Sequence, residues 1–302
     1  MQVYNRYSKK YEPISQYGGG LLEILYHGMP GRVLLKFVIH PLFSRGYGIY
    51  NRTPLSRGRI APFVEKYGIC MEDYEKREYA SFNDFFIRRP RPDRRPVDMA
   101  DTSFVSPADS KLSVYPITED SRISVKGVEY TLSELVDGKT ASANGRIKPA
   151  GGTIDLTDYE GGLCLVFRLT MDDCHRYCFV DSGRVTKRYR IKGKLHTVSP
   201  ISRDHKVYRE NFRVVNVLNT RNFKRIVCIE VGALLVGRIV NHPVRNFEKG
   251  MEKGYFEPGG STIILLLQRG SVELDEDVAR ICGEGTEVKI RLGEKIGSKG
   301  VC

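Results

Sequence analysis

The sequence predicts an α+β protein, N-terminal amphipathic helices followed by a mostly antiparallel β core, and two observations predict it. Apolar residues recur at near-helical spacing within the first hundred positions. From Thr102 onward the texture changes to short runs rich in Val, Ile, Leu and Tyr, punctuated by Gly, Asn and Asp. Helix-like and strand-like segments are thus segregated, which argues against an alternating βαβ arrangement. With 302 residues and 41% hydrophobic content the chain can bury an ordinary core. The change of texture divides it into a helical, basic region over 1–100 and a β-rich region over 101–302.

In the first region Leu21, Leu22, Ile24 and Leu25, and after Pro30-Gly31 also Val33, Leu34, Phe37 and Val38, recur with helical period. Arg32, Lys36 and Arg45 are interleaved. Two short amphipathic helices follow, which either pack on their own domain or lay a basic face on an anionic membrane. Residues 1–60 carry nine Lys/Arg against two acids, so most of the net +12 sits there. A second helical stretch is predicted through Ile60 to Tyr74. Ser81, with Asp84 three residues later, reads as a capping signal before Phe85, Phe86 and Ile87. The run Arg88 to Pro96 holds too many prolines for a helix and is expected to be an extended connector, a solvated linker rather than a phosphate site.

In the second region the strand candidates are Lys111 to Pro116, Leu163 to Leu169, Arg184 to Ile191, Phe212 to Val217, Ile226 to Val231, Leu234 to Val240 and Ile263 to Leu267. No run reaches the roughly 18 to 20 uninterrupted apolar residues of a spanning helix. The longest, Val33 to Phe43 and Ile226 to Val240, carry Lys36 and His40, and Glu230 and Arg238. Seven cysteines, an odd number with no signal peptide ahead of them, fit reduced thiols in the cytosol.

The sequence lacks a Gly-rich phosphate loop ending in Gly-Lys-Ser/Thr, a G-x-G-x-x-G between strand and helix, and a His-Glu-x-x-His. Cys174, His175 and Cys178 cluster without a second ligand pair, so no metal is expected. A nucleic-acid partner would rest on charge and the Arg-Pro run alone, and none is expected. The unusual place is Glu257-Pro258-Gly259-Gly260-Ser261-Thr262, two glycines and a serine at the mouth of an apolar strand. The Gly260 carbonyl is sterically open, and the Ser261 hydroxyl can reach it across their shared peptide bond, giving an ester by N-to-O acyl shift. A glycine turn feeding a core strand is the plainer reading of that segment alone.

From about Leu21 to Leu267 the chain resembles the phosphatidylserine decarboxylases, pyruvoyl enzymes that cut themselves at a Gly-Ser bond, and five motifs in order carry the resemblance. They are Ser81-Phe82-Asn83-Asp84-Phe85-Phe86 with Arg95-Pro96-Val97-Asp98, then Ser106-Pro107-Ala108-Asp109, and Arg168-Leu169 through Asp173-Cys174-His175-Arg176. Val231-Gly232-Ala233-Leu234-Leu235-Val236-Gly237 and the Gly254 to Thr262 stretch complete the set. The resemblance implies that Ser261 is the self-cleaving serine and future pyruvoyl group, Gly260 its acyl partner, and Asp109 the acid of an Asp-His-Ser maturation triad.

The chain departs from the family in one place. Where the pattern has His-Arg-x-His, it reads His175-Arg176-Tyr177-Cys178, so the usual triad base is a cysteine, and a neutral thiol is a poor base near pH 7. Either His175 serves both maturation and decarboxylation, or His196 supplies the base, or Cys178 is activated by its neighbours; slow or absent maturation is the remaining outcome.

The activity implied is decarboxylation of phosphatidylserine to phosphatidylethanolamine by a pyruvoyl group made from Ser261. Implied with it are an anionic phospholipid surface as partner and a peripheral place on the cytoplasmic side of the cell membrane; a homodimer is left open. The rivals are a decarboxylase of a soluble amino acid and a non-catalytic lipid-binding member of the family. His27, His40, His205 and His242 have no motif support.

Overall fold

The computed structural model describes residues 2–13, 41–125, 128–137, 146–147, 154–194, 207–233 and 238–300. The amphipathic segment predicted over Leu21 to Val38 lies outside these residues, as do His196 and His205. The core is a ten-stranded sheet. From one edge it runs Asn246–Phe247, Gly183–Ile191, Arg213–Thr220, Arg225–Gly232, Ser261–Leu267, Leu163–Leu169, Ser110–Pro116, Glu287–Ile290, Gln2–Asn5 and Lys10–Pro13. Every neighbouring pair is antiparallel except Gln2–Asn5 against Glu287–Ile290.

The strand Ser261–Leu267 is buried at every residue because both faces of the sheet are covered. Alternation sends Ile263, Leu265 and Leu267 into one apolar cluster and Ile264 and Leu266 into another. The first cluster is shared with Tyr177, Phe256 and Ile239 of a three-stranded sheet, Arg176–Cys178, Glu252–Phe256 and Ile239–Asn241. The second is closed by the hairpin Arg122–Val125 and Val128–Thr131 and by the helix Leu132–Asp137. An uninterrupted apolar run is what a strand covered on both faces requires, which is why this strand was legible.

The described helices of the first hundred residues build a separate aromatic cluster. Phe63 of Ile60–Tyr67 meets Phe82, Phe85 and Phe86 of Phe82–Phe86 edge to face, at centroid distances of 5.0 to 6.4 Å. The first of these helices ends seven residues before the predicted limit, because Gly68 takes a left-handed conformation and closes it. The second is capped as predicted, Ser81 Oγ accepting the Asp84 N–H at 3.2 Å.

Two features differ from the expectation. Residues 2–13 form a hairpin that extends the main sheet, an element too short and too polar to show a strand pattern. Nor is the Arg-Pro run a uniformly solvated linker: Arg88 is fully buried and the Arg95 side chain is only 8% exposed, while Arg89 and Arg94 face solvent.

Candidate active site

Strand register gathers the motif residues at one end of the large sheet. Ser261 lies opposite Gly232 on one side and Leu169 on the other. Thr262 faces Arg168, which in turn faces Lys111. Asp109 immediately precedes Ser110–Pro116, and His175 follows Leu163–Leu169 after a short turn. Three segments far apart in sequence thus bring Asp109, His175 and the Gly260-Ser261 pair to the same end.

Ser261 shares the face of Ile263 and Leu265, and Thr262 occupies the opposite one. Both side chains are fully buried, and neither hydroxyl has a hydrogen-bond partner. A buried unpaired hydroxyl costs about 1–3 kcal/mol, so two in succession mark a place shaped for something other than stability. Gly260 offers its carbonyl to the Ala233 N–H at 3.2 Å. Gly259 sits at φ 143°, a conformation open to glycine. Upstream, a Cβ on Gly254 would stand 2.0 Å from the Val240 carbonyl oxygen and 2.8 Å from the Tyr177 hydroxyl, so the approach to the turn is closed to larger residues. The buried Glu257 carboxylate, four residues before the serine, is held by Arg52.

His175 is fully buried against Phe86, ring centroids 4.3 Å apart. Its Nδ1–H donates to the Asp173 carbonyl at 3.2 Å, which leaves Nε2 as a bare lone pair, and Nε2 has no partner. Arg88 holds the same turn from the other side, Nη2 donating to the Asp172 and Asp173 carbonyls at 3.2 and 3.3 Å. Lys111 Nζ pins the Asp173 carboxylate at 2.8 and 2.9 Å. Burial pushes the imidazole down to about 3, so it is neutral across the physiological range.

Asp109 and Cys178 do not form the relay that the family pattern implies. The Asp109 carboxylate accepts from Arg95 Nε and Nη2 at 2.9 and 3.0 Å and from the Leu292 N–H at 2.8 Å. Beside it opens a cavity of about 220 Å³ lined by Tyr74, Arg95, Asp173, Lys289 and Arg291 among others. The Cys178 thiol points at the Ser106 carbonyl at 3.8 Å, and burial pushes it up to about 12, with the Asp109 charge adding to the shift. Burial likewise pushes Cys174 up to about 11. Neither neighbourhood activates a thiol, which removes the physical basis for Cys178 as a base. Because Ser261 Oγ and His175 Nε2 are both unpartnered, the serine–histidine contact is not made in the uncut chain. Among the described residues no three His, Cys, Asp or Glu side chains are grouped to hold a metal ion.

Sequence reasoning missed Arg88, Arg95, Lys111 and the Ala233 N–H, whose roles arise from contacts across the chain. It also passed over a buried polar cluster on the serine's side of the sheet. There Glu230 binds Lys253 and accepts from Asn216 Nδ2 at 2.7 Å. One signal was present: Glu230 interrupts an otherwise apolar strand.

Residues 82–298 match the family model described as phosphatidylserine decarboxylase. The chain is 45% identical, over 98% of its length and 97% of the relative's, to a phosphatidylserine decarboxylase proenzyme 2 of Clostridium acetobutylicum. It is 37% identical to a phosphatidylserine decarboxylase proenzyme of Clostridium beijerinckii, over 99% of each chain. A third such proenzyme, from Desulfitobacterium hafniense, is 35% identical over 98% of each. The match runs through all five motifs and the strands that carry them: the chain belongs to the phosphatidylserine decarboxylase family.

Proposed function

We propose that the chain cuts itself between Gly260 and Ser261 and then decarboxylates phosphatidylserine to phosphatidylethanolamine. The observation that carries this reading is the fully buried, unpartnered Ser261 hydroxyl beside a Gly260 carbonyl already held by a backbone donor. In maturation the Ser261 Oγ attacks the Gly260 carbonyl carbon, and His175 Nε2 takes the hydroxyl proton. The tautomer imposed by Asp173 leaves that nitrogen free to accept. The ester eliminates, and water replaces ammonia at residue 261 to leave a pyruvoyl cap on the fragment 261–302.

A buried serine set opposite Gly232 and Leu169 fits this group, because a ketone needs no charged partner and gains from exclusion of water. The pyruvoyl ketone supplies an electron-withdrawing carbonyl for the substrate amine, so that the α-carboxylate leaves as carbon dioxide. His175 stays neutral beside that position; an imidazolium there would stabilise the carboxylate that has to leave. The turn held by Arg88 and Lys111 keeps the ring in place through both reactions.

The same reading sets the protein peripherally on the cytoplasmic face of the cell membrane, with an anionic phospholipid surface as its partner. Support comes from the basic first 60 residues and from Ile49, Tyr50 and Leu55, exposed by 57, 43 and 82% beside Arg52 and Arg57. No helix of the described residues is long and apolar enough to cross a membrane. The test is turnover on phosphatidylserine vesicles against free serine, with the Ser261→Ala chain as blank. Carbon dioxide release from vesicles alone is expected. Equal release from free serine would favour a soluble-substrate enzyme, and an uncut, inactive chain that still binds vesicles would favour a lipid-binding protein.

A further inference from the structure

We propose that the Gly232–Ala233 peptide unit, aligned by Asn211, is the oxyanion donor of self-cleavage, its N–H stabilising the charge that develops on the Gly260 oxygen. The inference rests on the cleavage reading above and gives a role to Gly232 and Ala233, which the motif Val231 to Gly237 contains without explaining.

The scissile carbonyl is the last acceptor of a ladder. Gly232 lies opposite Ser261, so the next pair outward is Ala233 and Gly260, and the Ala233 N–H donates to the Gly260 oxygen at 3.2 Å. Ala233 is fully buried, which shields this bond from competing water. The other end of the same peptide unit is fixed too. Asn211, itself fully buried, donates from Nδ2 to the Gly232 carbonyl at 2.9 Å, and the Gly232 N–H donates to the Phe212 carbonyl at 2.9 Å. Asn211 amide, Gly232 carbonyl, Ala233 N–H and Gly260 carbonyl therefore form one hydrogen-bonded chain. Each bond in such a chain polarises the next in a low-dielectric interior.

A bond of 3.2 Å is loose for a neutral carbonyl, and charge-assisted bonds are shorter and about twice as strong. The donor therefore gains more as the oxygen becomes negative than it gives to the ground state, which is the condition for catalysis. When the Ser261 Oγ–carbon bond forms, the carbonyl electron pair moves onto the Gly260 oxygen and the hydroxyl proton passes to His175 Nε2. Collapse breaks the carbon–nitrogen bond, the proton goes to the Ser261 nitrogen, and Gly260 is left as the ester. In the elimination that follows, His175 Nε2, neutral again, takes the α-proton of residue 261, the Cα–H electron pair forms the Cα=Cβ bond, and the Cβ–O bond breaks so that Gly260 leaves as a carboxylate, whose oxygen keeps the same N–H. Ala233 thus serves both charged states, and Asn211 is a positioning residue that acts through it.

The test deletes the N–H. Ala233→Pro removes it directly. An amide-to-ester exchange at Ala233, in which lactic acid replaces alanine, removes it while keeping the side chain. Asn211→Asp replaces the aligning donor by an acceptor of the same shape. Intact mass follows the cleavage of each chain, hydroxylamine release measures trapped Gly260–Ser261 ester, and melting of the same variants carrying Ser261→Ala reports folding. The parent is expected to be cut between 260 and 261, both N–H deletions to be slowed by about 10²–10³-fold without accumulating ester, and Asn211→Asp to be slowed by a smaller factor at an unchanged melting temperature. A purely structural Asn211 would shift melting and not the cleavage half-life. Should the proline chain fail to melt cooperatively, the ester chain decides. An ester chain that melts like the parent and is cut at the parental rate overturns the inference while leaving the cleavage reading intact. A parent that is never cut overturns both.

Discussion

Cys178 stands where the family pattern places a second histidine, and its surroundings decide what it can do. A thiol pushed up to about 12 by burial carries no useful thiolate at neutral pH. Cys178→Ser is therefore expected to leave the cleavage half-life unchanged, read by intact mass; a large slowing would return the thiol to the mechanism. His175→Gln should slow cleavage by about 10²–10⁴-fold, since it removes a buried imidazole nitrogen that is left unpaired and can accept the hydroxyl proton. The same residue couples stability to pH. Its folded value of about 3 lies below the unfolded value, so the unfolded chain binds more protons between about 3 and 6.5. The stability it contributes is fully present above about pH 6.5 and is lost as pH falls towards 3. In the uncut Ser261→Ala background, the urea midpoint should drop between pH 7 and pH 5, and less steeply once His175→Phe is added. Equal slopes would mean that His175 is not the neutral, buried group described. Ser261, Gly260, Asp109 and His175 were legible as candidates because each lies in a short local motif. Arg95 and Arg88 were not, since their partners Asp109 and Asp173 are 14 and 85 residues away.

Among the elements, those that position the site differ in how far the sequence showed them. Leu163–Leu169 was placed to the residue, because five apolar residues, Leu163 to Phe167, precede its one charged residue, Arg168, as expected of a strand covered on both faces. Ser261–Leu267 was placed two residues late, since its first two side chains are hydroxyls that read as turn rather than strand. The helix Phe82–Phe86 carries the ring that covers His175, and its cap was visible in advance. Ser81→Ala should cost about 1 kcal/mol of stability through the lost cap, measured by urea unfolding, with a modest slowing of maturation. Gly254→Ala should be more damaging, about 1–3 kcal/mol, because the new methyl would collide with the Val240 carbonyl across the small sheet. A melting temperature unchanged by that substitution would contradict the described packing. The N-terminal hairpin had no readable pattern. Its place is set from a distance by Arg6, which binds Asp275 and Asp277 at 2.7 Å each, and by pairing with Glu287–Ile290.

At the scale of the whole molecule, the fragment 261–302 is woven into the fold rather than appended to it. Ser261–Leu267 lies between Arg225–Gly232 and Leu163–Leu169, and Glu287–Ile290 between Ser110–Pro116 and Gln2–Asn5. Lys295–Lys299 pairs with Ser103–Val105 from the other side of the cut. Cleavage at 260/261 should therefore leave the two pieces co-eluting on gel filtration and separating only in denaturant; dissociation in native buffer would contradict this topology. The segregation of helical and strand patterns was enough to give the α+β class. The strand order was not legible, because register depends on pairings between distant segments that no local pattern encodes. The charge surplus of the first 60 residues predicts binding to anionic vesicles that weakens as salt is raised from about 0.05 to 0.5 M, and salt-independent binding would exclude an electrostatic contribution. The central claim is that Ser261 and Gly260 react with one another. Intact mass of the purified protein tests it most directly: two chains are predicted, 1–260 and a 42-residue fragment 261–302 with a blocked, carbonyl-reactive N-terminus. A single uncut chain of 302 residues under native conditions would contradict it.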